Sequence, residues 1–372
     1  MLAFYNGLIF DGDTFNSDQA VLISDDIIVD IVSGSDIPAT AEQFDLNGSY
    51  LAPSFIDLQL YGAHKKLFSQ DLSFESLKAT DDYCMIGGCT RFLITMATNT
   101  IEKFLQGIEV VKAFQKENKS GLLGLHMEGP YINPVKRGAH IERCIKKPTI
   151  DEVKLLMDKS EGILKMMTLA PEQCSDEVIQ LLLDSNVLVS AGHSNATYQQ
   201  AIDSFNKGIT TVTHLFNAMS PLQGREPGMV GAVYDHATVC SSIVCDGVHI
   251  DFTAVRISKK IMKERLFLIT DAVTETTEGE YKHVLNRDRY ILPDGTLSGS
   301  ALTMMKAVNN CVDKVGIPFE ESLRMASLYP ARVAKLDQQL GKIKKGYKAD
   351  LLVLSKEREV KTVFRNGKIL SR

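Results

Sequence analysis

The chain has 372 residues, 44 % hydrophobic and 23 % charged, close to globular averages, which excludes a disordered, fibrous or disulfide-dense chain. Its 41 Lys and Arg against 46 Asp and Glu leave a formal charge of −5 without a block of five like charges, so electrostatics gives no reason to expect nucleic acid or an anionic membrane as partner. This length fits two or three domains, or one closed α/β barrel with an accessory part.

The opening MLAFYNGLIFDGD lacks the basic and apolar regions of a secretory signal, and no apolar stretch approaches the ~20 residues of a spanning helix. Seven cysteines, an odd number without a CxxC pair, read as free thiols of a reducing compartment, the cytoplasm. Residues 1–50 carry turn signals at Asp11-Gly12-Asp13, Asp25-Asp26 and Asn47-Gly48 between short alternating pieces, which predicts antiparallel strands.

From Tyr50 onward, eight apolar runs recur, at 51–60, 90–97, 122–127, 163–169, 187–191, 209–213, 239–245 and 266–270. They are hydrophobic without strict alternation, as parallel strands covered on both faces are. Helices are predicted between most of them, with Thr149, Ser175 and Asn195 as N-caps and Gly208 as a stop. The stretch 215–235 bears Gly and Pro and shows no clear helix. This rhythm predicts a (β/α)₈ TIM-type barrel over 51–340. In 341–372, GKIKKGYKADLLVL reads as strand, turn, strand, and Asn366-Gly367 as a hairpin turn, so 1–50 and 341–372 are expected to build one small flanking β-sandwich domain.

Active sites of such barrels lie at the carboxyl ends of the strands. The third run ends in His126-Met127-Glu128, the fifth in Gly192-His193, the sixth in Thr213-His214, and the eighth in Thr270-Asp271. Glu128, His193 and His214 form a His₂Glu set that leaves a catalytic metal an open position. Zn²⁺ is the commonest fit, and Fe²⁺, Mn²⁺ or Co²⁺ also suit these donors. Any one of the histidines alone is equally a hydrogen-bonded barrel residue; their joint placement is what points to a metal. Asp271 would face the barrel mouth, able to take a proton from water and pass it to a leaving group, with a helix N-cap as its plainer reading. His126 shares the strand parity of Glu128 and reads as a core or supporting residue, while His64, His236 and His283 have no motif around them. The acidic, Gly-ended 274–279 is a solvated turn or a lid.

The ordered strings HMEGPYI, AGHSNAT, THLFNAM, GREPG, DGVH, TDAV and GTLSGSALTM resemble the N-acetylglucosamine-6-phosphate deacetylase family of the amidohydrolase superfamily, over roughly 50–333 with GKIKKGYKADLLVL beyond. The resemblance implies hydrolysis of the acetamido group of N-acetyl-D-glucosamine 6-phosphate, one divalent metal on Glu128, His193 and His214, and Asp271 as acid and base. It assigns the sugar phosphate to Asn217, Ala218, Arg225 and His249, in the segment Asp246-Gly247-Val248-His249, and the sugar site to Ala139 and His140, with Leu297-Ser298-Gly299 a further contact. It also implies a homodimer that completes the phosphate site.

Two positions depart from the pattern. Where many amidohydrolases have His-x-His for a second metal, this chain has Gln59-Leu60-Tyr61, with Gln59 a candidate contact to the water on a single metal. Ser54 replaces the usual Gly, a change expected to affect only a local turn. Competing readings are an amidohydrolase for a cyclic amide or another N-acylated sugar, and a sugar-phosphate sensor without catalysis.

Overall fold

In the computed structural model, which describes residues 1–117 and 120–371, eight parallel strands follow one another in chain order around one sheet. They are β1 (Phe55–Leu60), β2 (Cys89–Ala97), β3 (Leu122–Glu128), β4 (Leu164–Leu169), β5 (Leu188–Ala191), β6 (Thr211–Val212), β7 (Cys240–Ile243) and β8 (Leu266–Leu268). The sheet closes on itself where Tyr61 N–H donates to the Ala272 carbonyl and Asp271 N–H to the Gln59 carbonyl, both at 2.9 Å. All six residues of β1 are buried, which is why its sequence does not alternate. The predicted (β/α)₈ barrel is therefore the observed one.

The elements differ from expectation in four places. The run 51–60 is two strands, Tyr50–Pro53 and β1, split at Ser54, and only the second enters the barrel sheet. Thr149 and Ser175 do cap their helices, but the next helix, Tyr198–Asn206, is capped by Thr197 rather than Asn195. Thr197 and Gln200 form a reciprocal capping box, leaving the Asn195 N–H to donate to Glu172 Oε1 at 2.7 Å. The stretch 215–235 contains the helix Gly228–Asp235, whose first six residues are all buried; an apolar helix without a polar face carries no 3.6-residue period to detect. Finally, 341–350 forms no strand before Leu351–Leu354, because it spends its backbone on loop bonds, Ile343 N–H to Asp11 O at 2.9 Å and Gly346 N–H to Ile28 O at 2.8 Å.

The chain divides into two compact units, Met1–Asp57 with Asp82–Arg91 and Thr303–Arg372, and Leu58–Asp81 with Phe92–Leu302. In the first, a four-stranded and a six-stranded sheet share a core that includes Phe4, Ile23, Leu51, Leu351 and Phe364. The sheets are mixed rather than antiparallel throughout, since Leu2–Tyr5 runs parallel to Glu42–Asp45 and Leu8–Phe10 parallel to Tyr50–Pro53. Asn366 and Gly367, at φ 50° and 72°, make the tight turn between Val360–Arg365 and Lys368–Ser371. Ser54 does more than shape a turn. Its hydroxyl bonds Thr90 Oγ1, which donates to Asp350 Oδ2 at 3.0 Å, and the same carboxylate takes Arg91 Nε at 2.7 Å.

In the second unit, Val284–Asn286, Arg289–Ile291 and Leu297–Ser300 form a three-stranded antiparallel sheet. Its last strand returns to the exit of β8, where Ser300 N–H donates to Asp271 O at 2.9 Å. The seven cysteines are free, four of them buried, and among the described residues no helix is long and apolar enough to cross a membrane.

Candidate active site

Four of the predicted residues leave the barrel at strand exits and meet. Glu128 is the last residue of β3, and His193, His214 and Asp271 lie two, two and three residues beyond β5, β6 and β8. His193, His214 and Asp271 adopt the left-handed region at φ 47°, 36° and 54°, which costs a non-glycine residue about 1–3 kcal/mol and aims its side chain away from the strand path. Gly129 follows Glu128 at φ 82°; a Cβ there would lie 2.1 Å from Thr98 Oγ1, so only glycine lets the chain turn at that point. All four side chains are buried.

Glu128 Oε1 lies 3.1 Å from His214 Nε2 and 3.4 Å from His193 Nε2, and those two nitrogens are 3.2 Å apart. Donor atoms about 2.05 Å from a tetrahedral Zn²⁺ are separated by about 3.3 Å, so this triangle has the size a metal requires. Two imidazole nitrogens at that separation, both turned to one carboxylate oxygen, also cannot both carry hydrogens comfortably. His193 Nδ1 contacts the Lys136 carbonyl at 2.9 Å, an acceptor only, so the ring hydrogen is on Nδ1 and Nε2 offers its lone pair. His214 has no such support: its Nδ1 is buried without a hydrogen-bond partner, and its backbone N–H donates to Ser242 Oγ at 2.8 Å.

His140 completes a second group of the right size, with Glu128 and His193, whose ligand atoms lie within 4.8 Å of one another. Hydrogen bonding separates the two sets. The Thr98 backbone N–H points at His140 Nδ1 at 3.2 Å, and a backbone hydrogen cannot turn away, so Nδ1 is an acceptor even with Thr98 Oγ1 at 2.7 Å. The ring hydrogen is then on Nε2, donating to Glu128 Oε2 at 3.2 Å. In this form His140 turns a hydrogen, not a lone pair, to the carboxylate. Residues Glu128, His193 and His214 therefore fit a divalent cation best.

Burial works to raise the Glu128 carboxyl, but His140, His193 and His214 bring it well below the usual range. Asp271 is raised by burial, with His214 and His249 opposing and the Glu128 charge adding to the rise. His249 Nε2 stands 3.7 Å from Asp271 Oδ2, and its Nδ1 bonds Asp246 Oδ2 at 2.6 Å. The other oxygen of Asp246 accepts the N–H groups of Val248 and His249, both at 2.8 Å, so the turn 246–249 aims His249 at Asp271. His126 sits behind this layer, fully buried, with Nε2 at 2.8 Å from Thr168 Oγ1, and burial lowers its pKa to about 4.

The cavity over these groups has a volume of about 340 Å³, the size of a small-molecule site. Ala139, His140, Asn217, Ala218 and His249 line it together with Leu297, Ser298 and Gly299. Asp246, Gly247 and Val248 are not in the lining, nor is Gln59, which is buried. Arg225 is exposed in the loop before Gly228–Asp235 and is not brought to the cavity.

Three contributors had no role assigned from the sequence. Tyr61 bonds both Glu128 and Gln59; its signal was the i, i+2 parity with Gln59. His283 is buried in the cavity wall with Nδ1 2.8 Å from Ser298 Oγ. Glu172 accepts from Asn133 Nδ2 at 2.9 Å, Asn195 N–H at 2.7 Å and Ser194 Oγ at 2.7 Å, tying together the loops that flank His193. Neither His283 nor Glu172 lies in a pattern that sequence alone would single out. The segment 274–279 is tied in its first half, by Lys65 N–H to Thr274 Oγ1 at 2.7 Å and Thr276 N–H to His283 O at 3.0 Å, with 277–279 exposed.

A parallel eight-stranded barrel with imidazoles and carboxylates gathered at its strand exits defines the hydrolase class that works with a bound metal. Residues 50–370 match the amidohydrolase family and residues 1–51 the NagA composite domain; the chain belongs to the amidohydrolase family. It is 36 % identical over 362 residues, 94 % of each chain, to the N-acetylglucosamine-6-phosphate deacetylase of Haemophilus influenzae. Its structure is similar to that of the N-acetylglucosamine-6-phosphate deacetylase from Pasteurella multocida, with TM-score 0.96, 33 % identity and all of both chains covered. It is also similar to a point mutant of the Mycobacterium smegmatis N-acetyl-D-glucosamine-6-phosphate deacetylase in complex with N-acetyl-D-glucosamine-6-phosphate, with TM-score 0.90, 26 % identity, and 100 % and 99 % of the chains covered.

Proposed function

We propose that this chain hydrolyses the acetamido group of N-acetyl-D-glucosamine 6-phosphate to D-glucosamine 6-phosphate and acetate. The observation that carries the reading is the triangle of Glu128 Oε1, His193 Nε2 and His214 Nε2, with edges of 3.1 to 3.4 Å, beside the buried Asp271. These three residues would hold one divalent cation, Zn²⁺ by donor type, which supplies Lewis-acid activation of water and of the amide carbonyl. Asp271, raised by burial and so readier to hold a proton than an exposed carboxylate, takes the proton of the attacking water and returns it to the departing amine nitrogen. His249, steadied by Asp246, keeps the second oxygen of Asp271 in place. Asn217 offers its amide to the phosphate beside Ala218 and His249, while Ala139 and His140, the latter with its ring hydrogen on Glu128, line the sugar site together with Leu297.

Arg225, exposed on its own chain, is assigned to the phosphate in a homodimer, where a guanidinium gives the oxygens a fork of donors. The cysteine usage supports the cytoplasm as the working compartment. The test is acetate release from N-acetylglucosamine 6-phosphate against its unphosphorylated form. A catalytic efficiency at least about tenfold higher on the phosphate ester is expected from one charge-assisted contact set. Equal efficiencies on both sugars reject the phosphate assignment, and no acetate from either favours a binding protein.

A further inference from the structure

The hydroxyl of Tyr61 stands between the two carboxylates of the site. It donates to Glu128 Oε2 at 2.5 Å, lies 3.2 Å from Asp271 Oδ1 and accepts from Gln59 Nε2 at 2.8 Å. Its ring is buried in a cluster with Leu67, Ala97, Val273 and Tyr281, which fixes the direction of the hydroxyl. A hydrogen count then divides the four carboxylate oxygens. The phenol has one hydrogen and the Gln59 amide nitrogen two. That nitrogen has three acceptors in reach, Tyr61 Oη, Asp271 Oδ1 at 2.9 Å and Glu128 Oε1 at 3.0 Å. A cation on Glu128 Oε1 repels any hydrogen aimed at that oxygen. The three hydrogens then run from Tyr61 to Glu128 Oε2 and from Gln59 to Tyr61 Oη and Asp271 Oδ1, and none is left over.

Glu128 Oε2 is thereby filled twice, by Tyr61 and by His140 at 3.2 Å, while Oε1, with Gln59 Nε2 at 3.0 Å, faces the two histidine nitrogens and is the oxygen left for a cation. Asp271 is held by Oδ1 and keeps Oδ2 toward His249 and the cavity. We infer that Tyr61 is a positioning residue that makes Glu128 a one-oxygen ligand and, through Gln59, selects which oxygen of Asp271 faces the reaction. The inference rests on the metal-dependent deacetylase reading and adds a residue to it. It also gives the tyrosine a reason to stand where a second-metal ligand would be: its hydroxyl consumes the carboxylate oxygen that a second cation would need.

The experiment is Tyr61→Phe, which keeps the ring and its packing, compared with the unaltered chain after both are stripped and loaded with Co²⁺. With the shorter of its two bonds gone and only His140 left on it, Oε2 can turn to the cation beside Oε1, so the visible cobalt absorption of the variant is expected to weaken, as it does when coordination number rises above four. In parallel kcat for acetate release is expected to fall about 10- to 100-fold with KM within about twofold, the scale of losing one hydrogen bond to a charged group. An unchanged cobalt spectrum and an unchanged kcat overturn the inference. Gln59→Leu keeps it testable should the first variant fold poorly. That change removes the bonds to Tyr61 and Asp271 but leaves Tyr61 on Glu128, so kcat is expected to fall while the cobalt spectrum stays that of the unaltered chain; an altered spectrum overturns it. Absence of acetate release by the unaltered, loaded chain sinks the deacetylase reading itself and leaves the spectral comparison standing.

Discussion

Replacing Asp271 by Asn removes a proton carrier and little else. Oδ1 now accepts from Gln59 Nε2 at 2.9 Å and faces Tyr61 Oη at 3.2 Å; a carboxamide oxygen can do the same, leaving its NH₂ on the side of His249, 3.7 Å from Oδ2. Burial raises the Asp271 carboxyl, with His214 and His249 opposing, so the native fold bears a desolvation cost that a neutral amide avoids. Stability is therefore expected to stay within about 1 kcal/mol of the parent, and the metal to be retained, since none of the three ligand atoms moves. Rate is another matter. A positioned acid or base is worth about 10²- to 10⁴-fold, and Asp271 serves two transfers, so kcat is expected to fall at least 10³-fold, about 4 kcal/mol of barrier. The assay is acetate release by a sample whose metal content and melting curve match the parent. A folded, metal-replete Asp271→Asn chain with more than about a tenth of parental kcat would refute the proton-carrier role.

Three further outcomes follow from particular contacts. Burial lowers the pKa of His283 to about 4 against 6.5 for the free side chain, so between those pH values the unfolded chain binds the extra proton. Stability therefore falls as pH drops from about 6.5 to about 4, by about 3 kcal/mol from this group, and His283→Gln should flatten that part of a urea-melt pH profile; an equally steep profile would count against it. Thr197→Ala should cost about 1 kcal/mol in chemical denaturation because it opens the capping box, while a comparable loss from Asn195→Ala instead would mean the helix starts two residues earlier. Glu172→Ala strips the acceptor from Asn133, Ser194 and Asn195 at once and should cost about 2–4 kcal/mol, with a lower kcat from the loosened His193 turn; a melt unchanged from the parent would contradict that role.

Strand exits made much of this molecule readable. Glu128, His193, His214 and Asp271 each follow an apolar run, and in a parallel barrel such positions converge whatever the helices do, so their meeting could be read from order alone. That His140 also reaches Glu128, with its other nitrogen facing the Thr98 backbone hydrogen, could not. Nor could the work of Tyr61, which depends on two carboxylates from β3 and the exit of β8 arriving on either side of one hydroxyl. The helix Gly228–Asp235 was hidden by its own burial, and the strand expected before Leu351–Leu354 was lost to loop bonds made with residues more than three hundred positions away. Arg225 shows the opposite limit: the likeness of its GREPG motif is what suggests a phosphate role, while its side chain here is exposed.

The most direct measurement is X-ray absorption at the zinc edge on the stripped chain reloaded with one equivalent of Zn²⁺. Stoichiometric uptake is expected, with a shell of two imidazole nitrogens at about 2.0 Å and oxygen donors, reduced to one imidazole in His193→Ala and in His214→Ala but unchanged in His140→Ala. Zinc bound without imidazole, or a shell that loses a nitrogen when His140 rather than His214 is removed, would contradict the assignment of the three ligands.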